Sequence, residues 1–270
     1  MYGAILGDII GSPYEFMPHK SKDFELFSEN SKFTDDTVLT IAICRALLRV
    51  SKNAPLDTIR YYVVKEFINA GKAYPRCGYG LKFNSWIFNG IRGRMPEPYN
   101  SFGNGSAMRV SAAGWLYDTL ERTREVAKAT AEVTHNHPEG IKGAEATASA
   151  IYMARTGRTK EEIAEYIIKE FGYNLMRSCD DIRPRYQFNE TCQGTVPEAI
   201  ICFLEGESFE DVIRNAVSLG GDADTLAAIA GSIAEGYYKI PDNLIAEADS
   251  RIPDSFKHTI RKFQKRSRVL

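Results

Sequence analysis

Residues 226–232 read LAAIAGS, and residues 143–150 read GAEATASA. Both stretches lie in predicted helices and consist almost entirely of small residues, which lets helix backbones approach one another closely. Apolar residues recur at helical spacing elsewhere as well, for example at Val38, Ile41 and Ala42, whereas strand-like alternation is scarce. The sequence therefore predicts an all-α fold, a compact orthogonal helical bundle.

Start and stop signals place eight helices over residues 106–120, 121–133, 138–154, 160–171, 197–204, 209–218, 225–238 and 253–265. Pro138, Pro197 and Pro253 are each assigned to a first helical turn, where proline is tolerated. The Gly-, Pro- and aromatic-rich segments are predicted to be irregular and to collect the functional groups: 11–33, 71–105 and 174–195. Because no linker or fixed repeat interrupts the chain, we expect one domain over residues 1–270.

The composition excludes several classes of protein. Hydrophobic residues make up 44% and charged residues 26%, which argues against disorder and against a coiled coil. With 34 basic and 35 acidic residues, the chain has no overall positive field for nucleic acid or an anionic membrane. No apolar stretch reaches the roughly 20 residues of a membrane span. Five cysteines without metal-ligand spacing, after a start that lacks a signal-peptide pattern, predict a reduced, cytoplasmic protein, and we expect a monomer.

Two acidic clusters stand at predicted helix starts, 33-FTDDT-37 and 219-LGGDADT-225. Either cluster alone is compatible with a helix N-cap, because Asp and Thr accept hydrogen bonds from the free amides of a first turn. A cap needs only one carboxylate, however, and each cluster supplies two. Several carboxylates from separate segments are what a pair of Mg²⁺ or Mn²⁺ ions requires. If the fold brings the clusters together, they predict a di-metal cleft.

Other polar motifs are less specific. Residues 102–106, FGNGS, open a predicted helix and could present amides to a phosphate, or form an ordinary turn and cap. Residues 134–138, THNHP, place two histidines at a helix entrance, where capping or packing is the alternative to ligand binding. A zinc site is disfavoured because no third ligand completes a tetrahedral set. Glu15 in isolation is interpreted as a surface carboxylate.

Taken together, these motifs resemble those of the ADP-ribosylglycohydrolases. Five blocks occur in the family's order between residue 3 and about residue 240: GDIIG at 7–11 with Glu15, FTDDT at 33–37, GNGSAMR at 103–109, TH at 134–135 and GGDADT at 220–225. The resemblance implies an all-α domain with two magnesium or manganese ions in a cleft. It also implies cleavage of the N- or O-glycosidic bond between an ADP-ribosyl group and its acceptor.

The resemblance assigns roles by position. The metal ligands would be Thr34, Asp35, Asp36, Asp222, Asp224 and Thr225. Glu15 and Asp36 would be catalytic, with Glu15 on a mobile loop beside the metals. The substrate would contact Gly78, Gly80, Asn104, Gly105, Ser106, Met108 and His135. Residues 81–86, LKFNSW, depart from the family pattern, which leaves the contacts with the acceptor open.

The leading hypothesis is metal-dependent hydrolysis of ADP-ribosylated arginine or serine side chains, or of a small ADP-ribose derivative. The expected partners are an ADP-ribosylated protein or a small-molecule substrate, and a nucleic-acid acceptor is disfavoured by the near-neutral charge. Two alternatives stay open. One is a catalytically silent protein that binds ADP-ribose or a related nucleotide. The other is a di-metal hydrolase of another small glycoside or phosphoester.

Overall fold

The computed structural model describes residues 1–267, and within that range every regular element is a helix. The fifteen α-helices are α1 (Tyr2–Gly11), α2 (Asp35–Leu48), α3 (Leu56–Ala73), α4 (Leu81–Ile91), α5 (Gly105–Met108), α6 (Ser111–Leu116), α7 (Leu120–Glu132), α8 (Pro138–Arg155), α9 (Lys160–Phe171), α10 (Cys179–Ile182), α11 (Cys192–Glu205), α12 (Phe209–Leu219), α13 (Ala223–Tyr237), α14 (Asp242–Arg251) and α15 (Asp254–Ser267). A short 3-10 helix, Ser12–Tyr14, follows α1. The all-α prediction is confirmed.

Helix α13 occupies the centre of the bundle. Residues 223–234 of this helix are all buried, and α13 packs against α1, α8, α11 and α12. A helix with small, apolar residues on every side can be surrounded by other helices, which explains the stretch LAAIAGS. The starts of α13 and of its neighbours are thereby brought into one region of the molecule.

Glycines on α1 allow it to pack directly on α13. A Cβ atom on Gly3 or Gly7 would overlap the backbone of α13, and one on Gly11 would overlap the backbone at Asp224. Positions 3, 7 and 11 lie on one face of α1 because residues four apart are neighbours on a helix. The antiparallel contact therefore places the end of α1, and the turn that follows it, beside the start of α13.

Several helix boundaries follow the sequence signals closely. Thr159 caps α9 in a capping box with Glu162, and Gly172 ends the helix at φ 66°. His137 caps α8, since its side chain accepts a hydrogen bond from the Glu139 amide, and Pro138 is the first helical residue as predicted. These local signals fix where the helices begin and end.

Other boundaries correct the predictions. The helix expected over 106–120 is two short helices, α5 and α6. Pro197 lies inside α11, which begins at Cys192, and not in a first turn. Its missing N–H leaves the carbonyl of Gln193 without a helical donor, and Gln193 is exposed to solvent. Helix α4 lies in the segment 71–105, which was predicted to be irregular, and it buries Phe83, Trp86 and Ile87.

None of the helices among residues 1–267 combines the length and the apolarity that crossing a bilayer requires.

Candidate active site

Asp8 anchors the first turn of α2 from within the buried helix α1. Its Oδ2 accepts hydrogen bonds from the backbone N–H groups of Thr34 (2.9 Å) and Thr37 (3.0 Å). Its Oδ1 accepts a bond of 2.7 Å from the Thr34 hydroxyl. These bonds satisfy amides that a helix start otherwise leaves unpaired. Asp35 and Asp36 lie between Thr34 and Thr37, so Asp8 holds both aspartates at a fixed position beside α1.

Two glycines lead into α13. Gly220 and Gly221 have φ angles of 72° and 75°, which residues with a side chain rarely adopt. Asp222 then takes the N-cap position, but its side chain makes no capping hydrogen bond. Instead, its Oδ2 accepts a bond of 2.7 Å from Asn104 Nδ2. The Asp222 carboxylate is therefore turned toward the loop before α5.

The starts of α2 and α13 meet in space. The Thr225 hydroxyl donates to Asp36 Oδ2 at 3.2 Å, and the Thr34 hydroxyl lies 3.5 Å from Asp224 Oδ2. The members of these pairs are 189 and 190 positions apart in the chain. The fold therefore brings together the two acidic clusters that the sequence singled out.

Glu15 reaches the same region from the turn after α1. Carboxylate oxygens of Glu15, Asp222 and Asp224 lie within 4.8 Å of one another. Glu15 is half-buried, whereas the two aspartates are buried. Three oxygens at this spacing could bind a single cation. The surface-carboxylate interpretation of Glu15 is therefore wrong.

Burial raises the pKa of the carboxyl groups in this cluster. The pKa of Asp8 rises to about 6 and that of Glu15 to about 7, with burial as the largest cause in both. The pKa values of Asp35, Asp36 and Asp224 rise well above the usual range, because burial is reinforced by the neighbouring carboxylates. The cluster therefore groups carboxyls whose ionised forms are disfavoured by burial and by one another.

This set of ligands fits a divalent cation. Across residues 1–267, no lysine or arginine forms an ion pair with Asp35, Asp36, Asp222 or Asp224. Asp36 Oδ1 is buried and finds no hydrogen-bond partner in the part of the chain that the structure describes. A buried carboxylate without a partner is costly, and carboxylate and hydroxyl oxygens are the ligands that Mg²⁺ and Mn²⁺ prefer. The acidic group could therefore hold an ion.

These groups line a cleft of about 590 Å³, a volume suited to a small-molecule ligand. Twelve of the residues singled out from the sequence line it: Glu15, Asp35, Asp36, Gly78, Gly80, Asn104, Gly105, Met108, His135, Asp222, Asp224 and Thr225. Thr34 is buried behind these residues, and its hydroxyl donates to Asp8. Ser106 does not reach the cleft, because its buried hydroxyl donates to the Gly140 carbonyl at 2.6 Å.

The glycines in the cleft wall allow close approaches. Gly78 has φ 99°, and a Cβ atom there would lie 2.8 Å from Asp35 Oδ1. A Cβ atom on Gly105 would lie 3.3 Å from Nε2 of His135, and one on Gly103 would lie 3.2 Å from Ser101 Oγ and 3.5 Å from the same Nε2. Side chains at these positions would crowd the acidic group or the histidine.

Three residues that line the cleft had no role assigned from the sequence, Tyr99, Arg109 and Glu190, and neither had Asp8, which is buried behind it. A signal for Asp8 existed, because a carboxylate inside an otherwise apolar helix requires buried partners. Arg109 follows a glycine-rich motif, but the sequence does not show that its side chain turns inward, where it is 1% exposed. Tyr99 and Glu190 lie in loops whose position depends on the whole fold.

Comparison with known proteins agrees with this geometry. A family model described as ADP-ribosylglycohydrolase matches residues 1–267. The ADP-ribosylhydrolase ARH3 of Mus musculus is 24% identical over 333 residues, covering 97% of this chain and 86% of the relative. The ADP-ribosylarginine hydrolase Tri1 of Pseudomonas putida is 25% identical over 265 residues, covering 89% of this chain and 70% of the relative.

The fold is also similar to a solved structure titled as an ADP-ribosylglycohydrolase-related protein complex. The TM-score is 0.74 at 20% sequence identity, and the superposition covers 98% of this chain and 95% of the other. At this identity the likeness shows the shared fold.

Proposed function

The chain belongs to the ADP-ribosylglycohydrolase family, and we propose that it hydrolyses the glycosidic bond between ADP-ribose and an acceptor with the help of two divalent cations. One observation carries the proposal: buried carboxylates from two distant helix starts converge, and none of these aspartates forms an ion pair with a lysine or arginine of residues 1–267. An N-cap role alone does not account for them, since Asp222 makes no capping bond. A two-cation site does account for them.

Thr34, Asp35, Asp36, Asp222, Asp224 and Thr225 would hold the two ions, Mg²⁺ or Mn²⁺. When bound, the ions would supply Lewis-acid chemistry, polarising a water molecule and orienting the ribose hydroxyls. Asp8 would not bind an ion itself, because both of its oxygens already accept hydrogen bonds from α2. Its contribution is to keep Asp35 and Asp36 in place.

Glu15 would act as the general base. Its carboxylate is half-buried beside Asp222 and Asp224, so it can take a proton from a water molecule in the cleft. Asp36 would be the second catalytic carboxylate. The surrounding carboxylates would stabilise the positive charge that develops on the ribose ring as the glycosidic bond breaks. The groups needed to activate water and to stabilise the cation thus come from one cluster.

The nucleotide would lie along the glycine-rich wall of the cleft. Gly78, Gly80, Asn104, Gly105, Met108 and His135 would contact its ribose and diphosphate, as their position along the cleft supports. Ser106 would contribute at most its backbone, because its hydroxyl is bonded to Gly140. The acceptor would be an arginine or serine side chain of a protein, or a small ADP-ribose derivative.

The test is release of ADP-ribose from a panel of substrates by the purified protein. The panel contains an ADP-ribosylarginine peptide, an ADP-ribosylserine peptide and an O-acyl-ADP-ribose, each with Mg²⁺, with Mn²⁺ and with EDTA. We expect turnover of one class, with loss in EDTA. Calorimetry with ADP-ribose runs in parallel. Tight binding without turnover of any substrate would instead support a silent binding protein, and an absence of both would refute the proposal.

A further inference from the structure

Arg109 is a buried cation in the wall of the cleft. Its side chain is 1% exposed, and its guanidinium lies over the rings of Phe67 and Phe83, at 4.5 Å and 5.8 Å from their centroids. It forms no ion pair with a carboxylate of the described chain, and its Nε has no hydrogen-bond partner. A buried arginine without an anion requires a reason, because burial of an unpaired charge is costly.

The directed contact of Arg109 is a hydrogen bond of 2.7 Å from its Nη2 to the Thr134 hydroxyl oxygen. The same oxygen lies 2.7 Å from Nδ1 of His135. Thr134 is fully buried, so its hydroxyl proton cannot be given to solvent. The three side chains therefore form one chain of hydrogen bonds that begins at Arg109 and ends at the histidine ring.

The donors in this chain can be assigned by elimination. Arginine has no acceptor, so Thr134 Oγ1 must accept from Arg109. If His135 Nδ1 also donated to that oxygen, the buried hydroxyl proton of Thr134 would be left without an acceptor. The arrangement that leaves neither the Thr134 hydroxyl proton nor Nδ1 unpaired has the Thr134 hydroxyl donating to Nδ1, and a neutral His135 then carries its proton on Nε2.

Burial, reinforced by the charge of Arg109, lowers the pKa of His135 well below its usual value, so the ring is neutral at pH 7. His135 lines the cleft, and its Nε2 lies close to two other lining residues, 3.5 Å and 3.3 Å from the positions that a Cβ atom would take on Gly103 and Gly105. An N–H group at Nε2 can therefore be offered to a ligand in the cleft.

We propose that Arg109 is a positioning residue that acts through Thr134 to hold His135 in its Nε2–H tautomer, so that this N–H donates to an oxygen atom of the nucleotide. The part that concerns the nucleotide rests on the proposed function. The matching ligand atom is an acceptor, a phosphate, ribose or carbonyl oxygen, and a donor at that position is excluded.

The test reads the tautomer directly by ¹⁵N NMR of histidine-labelled protein without ligand, with the signal assigned by its loss in His135→Gln. Wild type is expected to show Nδ1 unprotonated and Nε2 protonated. In Thr134→Val the hydroxyl is removed, and a population with Nδ1 protonated is expected. Thr134→Ser keeps the hydroxyl and should restore the wild-type spectrum. Arg109→Met frees the Thr134 oxygen to accept from Nδ1, and should also mix the tautomers.

Affinity for ADP-ribose is measured on the same proteins by calorimetry. Loss of one oriented hydrogen bond should weaken binding about tenfold in Thr134→Val, and Thr134→Ser should stay close to wild type. Thr130→Val is the matched control, since Thr130 is also fully buried and its hydroxyl donates to the Ala127 carbonyl within α7. Arg155→Met controls for loss of a partly buried arginine away from the cleft, where Arg155 binds the Gly114 carbonyl.

The possible outcomes separate this inference from the proposed function. A wild-type spectrum with Nδ1 protonated, or a Thr134→Val protein with unchanged tautomer and affinity, would overturn the role of Arg109. If Arg109→Met fails to fold, the Val and Ser variants of Thr134 still decide the question. If wild type shows the expected tautomer but binds no ADP-ribose, the nucleotide part and the proposed function fail while the hydrogen-bond chain stands.

Discussion

The starts of α2 and α9 share a pattern, a Thr N-cap followed by two acidic residues in the first turn, but have opposite environments. Helix α9 is preceded by Thr159 and carries Glu161 and Glu162 in its first turn, and α2 is preceded by Thr34 and carries Asp35 and Asp36. At α9 the side chains are exposed, Glu162 completes a capping box, and local hydrogen bonds lower the pKa of both glutamates. At α2, burial raises the pKa of both aspartates well above the usual range.

The difference teaches that the pattern of a cap does not by itself distinguish a structural helix start from a functional one. The Thr159 hydroxyl accepts a hydrogen bond of 3.2 Å from the Glu162 amide of its own helix. Thr34 gives its hydroxyl to Asp8 in another helix, and its contact with the Asp36 amide is long, at 3.4 Å. Carboxylates that are buried and not used as caps remain available to a cation.

The largest effect is expected when the acidic group loses a ligand. Asp36→Asn and Asp224→Asn each keep the shape of the side chain but remove a charge that would bind a cation. Turnover should fall by about a thousandfold or more, because the chemistry that a bound metal supplies amounts to several kcal/mol. The measurement is ADP-ribose release at saturating Mg²⁺, with folding checked by circular dichroism.

The matched control for these variants is Glu162→Gln in α9, which also changes a carboxylate in the first turn of a helix. We expect this variant to keep wild-type turnover. Equal losses in α2 and α9 variants would mean that a general disturbance of the fold, and not the cleft, is responsible.

Replacing Glu15 by Gln should have the next largest effect. The carboxylate lies beside Asp222 and Asp224, and removing a general base typically lowers turnover by about 10²- to 10⁴-fold. Affinity for ADP-ribose should change far less, because the bond-forming step and not binding is impaired. Single-turnover kinetics and calorimetry separate the two quantities. A loss of affinity equal to the loss of rate would make Glu15 a residue that positions the ligand or holds the metal.

The helical class and the acidic clusters could be predicted because both depend on local signals. Small residues in 226–232 mark a helix that others surround, and Asp beside Thr marks a helix start. The meeting of Thr225 with Asp36 could not be derived from those signals, since it depends on how α1 packs against α13. The family resemblance supplied that expectation.

Errors in the prediction arose where tertiary packing overrides a local preference. Pro197 is tolerated inside α11 because the residue whose carbonyl loses its partner is exposed. Helix α4 was missed because glycines and aromatic residues surround it, although Phe83, Trp86 and Ile87 have helical spacing. The role of Ser106 was assigned by position in a motif, and the structure directs its hydroxyl to Gly140.

A smaller effect concerns stability as a function of pH without metal. The folded-state pKa values of Asp8 and Glu15 are raised to about 6 and 7, from 3.8 and 4.5. At a pH between the unfolded and folded pKa values, the folded protein binds more protons than the unfolded chain. The contribution of these two groups to stability is therefore full at low pH and is lost as pH rises toward 7. Glu161 and Glu162 at α9 contribute with the opposite sign, because their pKa values are lowered.

The measurement is the melting temperature of wild type and Asp36→Asn in EDTA and in Mg²⁺, from pH 5 to pH 7.5. In EDTA at pH 7.5, Asp36→Asn should melt higher than wild type by about 2–4 °C for each kcal/mol of repulsion relieved. Saturating Mg²⁺ should reverse the order, since a ligand that binds only the folded wild type stabilises it. A wild-type protein that is the more stable of the two in EDTA would contradict the account of unneutralised charge.

The smallest effect is expected at α9. Thr159→Ala removes the hydroxyl that caps this helix and should lower the free energy of unfolding by about 1 kcal/mol, or the melting temperature by about 2–4 °C. Thr159 does not line the cleft, so turnover should not change. Thr34→Ala at α2 removes a hydroxyl of the same kind, but there the loss should fall on activity, because Thr34 links Asp8 to the acidic group. If Thr34→Ala reduced only stability, by the same amount as Thr159→Ala, the two helix starts would be equivalent caps, and the convergence of carboxylates at α2 would have no catalytic meaning.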